Sequence, residues 1–336
     1  MRAISCAAPG RLEVIDVEEP RREPGEVLVR MRRMGICGTD MHIYGGRQPY
    51  FEYPRVIGHE LSGEVAEADP GSGLAAGDIV YINPYLACGQ CHACRIGKTN
   101  CCMRLRVLGV HTDGGLTGYL SLPRQNVVKA EGLAVDESAM VEFLAVGAHA
   151  VARSGVRAGQ TVLVAGGGPI GVGVALFSRL AGAEVLVADM RPERLAFCAD
   201  VLGVETLAVT HEVTDVLRER TGGVFHEVVF DATGSPASMQ TQFAHVASGG
   251  TYVLVSIVKG DISFSDAEFH RRELTLRASR NALPQDFETV VAAMRAGHVP
   301  TGALNTHRVA FADLPARMPS LVDPASGVIK ALVEIA

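Results

Sequence analysis

The chain has 336 residues, 48% of them hydrophobic and 20% charged, with a formal net charge of −6. That length allows two domains with cores of their own, and the composition is that of a globular chain rather than a disordered one. A near-balanced charge with no dense Lys/Arg block excludes the electrostatic footprint of a nucleic-acid binder.

The N-terminus, "MRAISCAAPGRLEVIDVEEP", holds no apolar core of signal-peptide length. A cytoplasmic protein is expected, and in that compartment clustered cysteines favour metal over disulfides. Short β segments follow, "GEVLVRMRRMG", "LSGEVAEA" and "DIVYINPYLA", divided by Gly and Pro. They predict an irregular, mostly β domain with functional loops over residues 1–145.

Two motifs in this part, "GICGTDMH" (35–42) and "VIGHE" (56–60), offer metal ligands. Cys37 and His59 are candidates, with Glu60 and Glu142 as carboxylates. Three protein ligands and one open position describe a catalytic zinc. No short spacing ties these residues together, and a lone Cys or His usually just packs, so the residues alone leave both readings open.

The stretch "CGQCHACRIGKTNCC" (88–102) is more specific. Cys88, Cys91, Cys94 and Cys102 have the spacing C-x2-C-x2-C-x7-C, which lets backbone turns aim successive thiolates at one tetrahedral centre. A closed site of this kind leaves no position for substrate and predicts a structural zinc. An iron–sulfur cluster also uses four cysteines, but the polar segment "RIGKTN" gives it little cover.

From about residue 147 the pattern changes to apolar runs: "TVLVAG", "EVLVADM", "EVVFDATG" and "GTYVLVSI", with helical segments between the first three. Such alternation predicts a parallel sheet covered on both faces. The uncharged stretch 161–178 is interrupted by glycines and a proline, which suits a buried strand, a turn and a helix start rather than a membrane span. In "VLVAGGGPIG" (162–171), Gly166, Gly168 and Gly171 stand in G-x-G-x-x-G register, with Pro169 and Ile170 completing the turn. A tight turn there lets the backbone approach a pyrophosphate at a helix N-terminus. Asp189 ends the next strand, where a carboxylate accepts both ribose hydroxyls and disfavours a 2′-phosphate. NAD is therefore expected over NADP, a preference softened by Arg191 and Arg194 just beyond. Past residue 280 come an amphipathic helix, "DFETVVAAMRAG", and a strand, "VIKALVEI".

"GICGTDMH", "GHE", the cysteine loop, "EFLAVGAHA" and "VAGGGPIG" occur in one order. Together they resemble the zinc-dependent medium-chain dehydrogenase/reductase family along essentially the whole chain, and most of all its polyol and sugar-acid branch. The resemblance implies an α/β fold, with a GroES-like catalytic domain (1–145), a Rossmann domain (146–279) and a C-terminal segment (280–336) that returns to the first. It implies NAD and two zinc ions per chain, one catalytic and one structural. Cys37, His59 and Glu142 become the expected catalytic ligands, with Glu60 as an alternative or exchanging one. The fourth structural ligand becomes Cys102, which leaves Cys101 as the extra thiol.

Related chains usually carry Pro after the ligand glutamate, where this one has Phe143, so the backbone there is less rigid and the ring a candidate for the substrate pocket. Thr39 and His42 become the expected proton relay. Arg47, Arg104, Arg106, His111 and Arg280 are candidates for contacts to a sugar acid or a polyol. The competing readings are a sorbitol-, xylitol- or galactitol-phosphate-type dehydrogenase and a non-catalytic sensor of NAD. A homodimer or homotetramer is expected, with "ELTLRAS" (273–279) as a cross-subunit strand, and no nucleic-acid or membrane partner.

Overall fold

The computed structural model describes residues 1–335; Ala336, the last residue of the expected C-terminal segment, lies outside the described residues. The chain divides into two compact units, Met1–Phe143 with Leu283–Ala336, and Leu144–Ala282.

The first unit opens with the strands β1 (Arg2–Ala8), β2 (Arg11–Asp16), β3 (Glu26–Ile36), β4 (Arg55–Val56) and β5 (Glu60–Glu67). It continues with β6 (Ile79–Ile82), β7 (Tyr85–Leu86), β8 (Arg106–Val107), β9 (Tyr119–Pro123) and β10 (Val127–Lys129). β3 is the spine of this unit. Val27, Val29 and Met31 alternate inward, as a period of two requires for a strand with one buried face. The ladder with β5 shifts register between Met31 and Arg33, and this bulge keeps Met34 and Ile36 buried as well. The run "DIVYINPYLA" does not form one strand. It breaks at Asn83–Pro84 into β6 and β7, because proline has no N–H to give a ladder.

The second unit holds β11 (Thr161–Ala165), β12 (Glu184–Asp189), β13 (Glu205–Ala208), β14 (His226–Asp231), β15 (Val246–Leu254) and β16 (Thr275–Ala278). They form one sheet in the order β13-β12-β11-β14-β15-β16, every neighbouring pair parallel. The order reverses beside β11, which opens the crevice where doubly wound sheets take their ligands. Leu163, Leu186, Val229 and Tyr252 build one core against this sheet. β13 escaped the sequence reading because it is an edge strand, with both ends exposed and no apolar run.

The chain then re-enters the first unit with the helix Pro284–Arg295, β17 (Asn305–Ala310) and β18 (Lys330–Glu334). β18 pairs antiparallel with β3, giving the order β10-β6-β5-β3-β18-β17, with β9 also on β3. Among the described residues no helix is long and apolar enough to cross a membrane.

Candidate active site and metal centres

Cys37 follows β3 directly and caps the helix Gly38–Tyr44. His59 and Glu60 enter β5, whose register sets Glu60 opposite Gly35. The pairing of β3 with β5 thus gathers residues that no short spacing links. Ligand atoms of Cys37, His59 and Glu60 all lie within 4.8 Å of one another. Glu142, at the start of the helix Val141–Ser154, is not in that compact group. It is buried nearby and accepts a hydrogen bond from the hydroxyl of Tyr85.

Two buried atoms beside this cluster, Nδ1 of His59 and Oδ1 of Asp40, have no hydrogen-bond partner and lie 3.9 Å apart. Burial alone would lower the His59 pKa, but Asp40, Cys37 and Glu142 around it raise it well above the ordinary value. The same negative groups that favour a proton on this imidazole would also favour a cation placed among them. A thiol, an imidazole and carboxylates are also the donor set zinc prefers. The residues therefore fit a bound zinc.

Asp40 was missed from sequence, although a signal existed. It is the third residue of a helix whose N-cap is Cys37, and its Oδ2 accepts the Cys37 N–H at 2.9 Å, half of a capping box. Lys330 was missed too. It is 1% exposed, and its Nζ donates to both oxygens of Glu60, at 2.6 and 2.7 Å. Only the sheet pairing brings residue 330 to residue 60. Phe143, expected at the substrate pocket, is instead buried with its ring face 4.2 Å from that ammonium.

Thr39 lies in the first turn of the helix after Cys37, and His42 is exposed in its last turn. Partial desolvation of its ring by the surrounding turn, and then the charge of Arg47, lowers the pKa of His42, although the residue as a whole is exposed. Arg47 is tied to the same turn, its backbone N–H donating to the His42 carbonyl at 2.8 Å. The Nδ1 of His111 accepts the Val107 N–H at 3.1 Å, so its ring hydrogen is on Nε2, and the ring stacks on Tyr50. Arg280 is exposed just past β16. Arg104 belongs to the cysteine lobe, its Nη2 donating to Cys88 Sγ at 3.7 Å, and the exposed Arg106 lies in β8 nearby.

In that lobe the four sulfurs of Cys88, Cys91, Cys94 and Cys102 converge within 4.8 Å. Cys101 is exposed and outside the group. Backbone amides point at the sulfurs: Cys88 N–H to Cys102 at 3.3 Å, Arg104 N–H to Cys102 at 3.4 Å and Met103 N–H to Cys91 at 3.5 Å. The amides of Gln90 and Cys91 draw the Cys88 thiol down to about 6, while desolvation and its neighbours push Cys94 up to about 12. Four thiols this close cannot all ionise without a cation, and four thiolates are a complete ligand set for tetrahedral zinc.

In the second unit, the turn after β11 runs into the helix Pro169–Leu180, with Gly168 as N-cap and Pro169 at the first position. The glycines are buried, while Pro169 and Ile170 are partly exposed. Gly166 has φ +98°, a conformation that favours glycine. A Cβ on Gly171 would lie 1.7 Å from the Gly166 carbonyl oxygen. Asp189 ends β12; its Oδ1 accepts the Arg191 N–H at 2.9 Å, and Arg194 Nη1 stands 3.5 Å from its Oδ2.

A model of the alcohol dehydrogenase GroES-like domain matches residues 23–132, and one of the zinc-binding dehydrogenases matches residues 169–296. L-galactonate-5-dehydrogenase of Escherichia coli (strain K12) is 42% identical over 94% of this chain and 93% of its own. 2-Dehydro-3-deoxy-L-galactonate 5-dehydrogenase of Pseudoalteromonas atlantica is 32% identical over 93% and 92%. Among solved structures, an alcohol dehydrogenase of Escherichia coli CFT073 complexed with NADH superposes with a TM-score of 0.93 at 29% identity, covering 100% of this chain and 99% of that one. Two family models in the expected order, and a relative matched nearly end to end, agree with the two metal-ready clusters and the parallel sheet: the chain belongs to the zinc-binding alcohol dehydrogenases of the medium-chain dehydrogenase/reductase family.

Proposed function

We propose that this dehydrogenase oxidises a secondary hydroxyl of an L-galactonate-like sugar acid and passes the hydride to NAD. The observation that carries the reading is the group of partly buried Cys37 with buried His59 and Glu60, and buried Glu142 beside it. A sensor of dinucleotide has no use for such a set. The substrate class rests on the 42% identity to an L-galactonate dehydrogenase, and NAD on Asp189 at the end of β12.

Cys37, His59 and a carboxylate would hold the catalytic zinc, and Cys88, Cys91, Cys94 and Cys102 the structural one. When bound, the catalytic zinc supplies a Lewis acid that lowers the pKa of the substrate hydroxyl, and NAD supplies the hydride acceptor. The chain provides the rest. Thr39 is the hydroxyl that takes the substrate proton, and His42 passes it to solvent. A lowered pKa keeps His42 neutral, and so able to accept a proton, at pH 7. Gly166, Gly168, Pro169, Ile170 and Gly171 cradle the pyrophosphate. Arg47 is the cation for the substrate carboxylate, with Arg280 of the second unit a separate candidate, and His111 is the candidate for a substrate hydroxyl.

Subunits pair through the edge of β16, which among the described residues pairs with β15 alone and leaves Leu276 37% exposed. A monomer in light scattering would rule that out. The eight free thiols suit a reducing cytoplasm. The function is tested by NAD reduction across aldonates, uronates and polyols, with metal analysis. L-Galactonate oxidation with two zincs per chain is the expected result. Activity on polyols alone would reassign the substrate, and one zinc without turnover would favour the sensor.

A further inference from the structure

Asp231, at the end of β14, ties together the turns that follow three neighbouring strands of the second unit. Its backbone carbonyl accepts the N–H groups of Val255 and Ser256 after β15, at 3.0 and 3.3 Å. Its Oδ1 accepts the N–H and the hydroxyl of Thr233 in its own turn, at 2.9 and 2.7 Å. The next residue, Ala232, donates to the Ala165 carbonyl at the end of β11 at 2.8 Å. All three turns lie at the C-terminal edge of the parallel sheet, beside the reversal of strand order. The carboxylate is buried, and none of these partners carries a charge.

The other carboxylate oxygen, Oδ2, accepts the Ser238 hydroxyl at 2.6 Å, and a chain of side chains continues from there. Gln242 Nε2 donates to Ser238 Oγ at 3.3 Å. His245 Nδ1 lies 2.9 Å from Gln242 Oε1, and Thr214 Oγ1 lies 2.9 Å from His245 Nε2. A carboxylate only accepts, so the one Ser238 proton points to Asp231 and Ser238 has to accept from Gln242. That sets the amide with its oxygen toward His245, puts the imidazole hydrogen on Nδ1 and makes Thr214 the donor to Nε2. Every hydrogen in the chain therefore runs toward Asp231, and bonds aligned in this way strengthen one another. Burial works to raise the pKa of Asp231, and the Ser238 and Thr233 donors oppose it. Gln242 and His245 are buried as well, so little solvent competes for their bonds.

A doubly wound sheet gives one of its halves to each nucleotide of a dinucleotide. With Asp189 on β12 in the adenosine half, β14 and β15 belong to the half that takes the nicotinamide nucleotide. We propose that Ser238, Gln242 and His245 are positioning residues for the nicotinamide end of NAD. They fix the Asp231 carboxylate, and Asp231 holds the turns after β14 and β15 in place beside the glycine turn. They act through Asp231 and not by contact with the dinucleotide. The inference rests on the reading of this crevice as the NAD site.

The test compares NADH with ADP-ribose, which lacks the nicotinamide, by calorimetric titration of the full chain. Ser238→Ala and Gln242→Leu cut the chain of bonds at two links. Each should weaken NADH on the order of tenfold, the worth of one hydrogen bond, and leave ADP-ribose affinity as in wild type. The double variant should bind NADH no more weakly than Ser238→Ala alone, because both residues act through one chain. Ser238→Thr keeps the hydroxyl and should keep wild-type NADH affinity. Unchanged NADH affinity in both single variants would overturn the proposal, as would equal weakening of NADH and ADP-ribose or additive losses in the double variant. A merely structural chain would lower the melting temperature and leave the ratio of the two affinities alone. Failure of the underlying reading looks different: Asp189→Ser would then leave the affinities for both ligands unchanged.

Discussion

Asp189 Oδ2 accepts the backbone N–H of Gly167 at 2.7 Å, so the carboxylate that ends β12 is tied to the glycine turn that ends β11. One residue thus shapes the turn and presents its remaining lone pairs where an adenosine ribose would lie. Asp189→Ser removes both effects and leaves Arg194 without its nearby counter-charge. NADH affinity should fall by roughly ten- to a hundredfold, the worth of a charge-assisted hydrogen bond of about 1.5–3 kcal/mol, while NADPH affinity rises. Titration of each dinucleotide by nicotinamide fluorescence checks this. An unchanged ratio would remove Asp189 from cofactor choice.

The turn can be tested without touching any charge. Gly171→Ala places a methyl group where the Gly166 carbonyl already lies, 1.7 Å away, so the turn has to open. A misplacement of about 1 Å is enough to cost on the order of a hundredfold in a positioned interaction. NADH binding should weaken by about that factor, with zinc content at the cysteine lobe unaltered. Normal NADH affinity in this variant would show that the pyrophosphate lies elsewhere.

Cys101 and Cys102 are neighbours with opposite expected behaviour. Cys102 is buried within the four-sulfur group and accepts two amide hydrogen bonds, whereas Cys101 is exposed. Cys102→Ser should release one zinc per chain and make the lobe sensitive to protease, and Cys101→Ser should leave metal content intact. Elemental analysis of the two purified variants decides the matter. Zinc lost equally from both would mean that the lobe holds its metal through a different set of sulfurs.

How much of this could be read from sequence depended on how far apart the partners stand in the chain. The cysteine lobe and the glycine turn were legible because their geometry is local: two-residue gaps and a strand–turn–helix are visible in a few residues. The doubly wound sheet was legible from its apolar runs, except β13, whose exposed edge carries no such run. Cys37 and His59 could be named as candidates, but bringing them together needed the β3–β5 ladder. Lys330 was beyond reach for the same reason, since its partner Glu60 lies 270 positions away across two ladders. Asp40 was within reach through its capping box but was not picked out. Phe143 was noticed for its neighbour in sequence, while its role in the fold is set by a lysine from the far end of the chain.

Where the C-terminal segment rejoins the first unit, the charges predict a dependence on pH. Asp136 accepts from Arg33 Nε at 2.7 Å and from Arg308 on β17, and Arg308 also reaches Glu334 on β18 at 3.1 Å. Burial works to raise the pKa of Asp136, but the two guanidinium groups outweigh it and hold the carboxyl below its ordinary value. A carboxylate with a depressed folded-state pKa contributes stability above its unfolded value, near 4, and loses it as pH falls through the folded value. Asp136→Asn should therefore be less stable than wild type at pH 7. The deficit should be about 1 kcal/mol, because Arg308 is half exposed and solvent screens the pair. The gap should begin to narrow as pH drops below about 4 and close once pH has fallen through the lower folded-state value, where the wild-type carboxyl takes up its proton. Urea denaturation of both at pH 7 and at pH 3 measures the gap directly; a gap that stays the same at the two values would show that Asp136 contributes through packing and not through its charge.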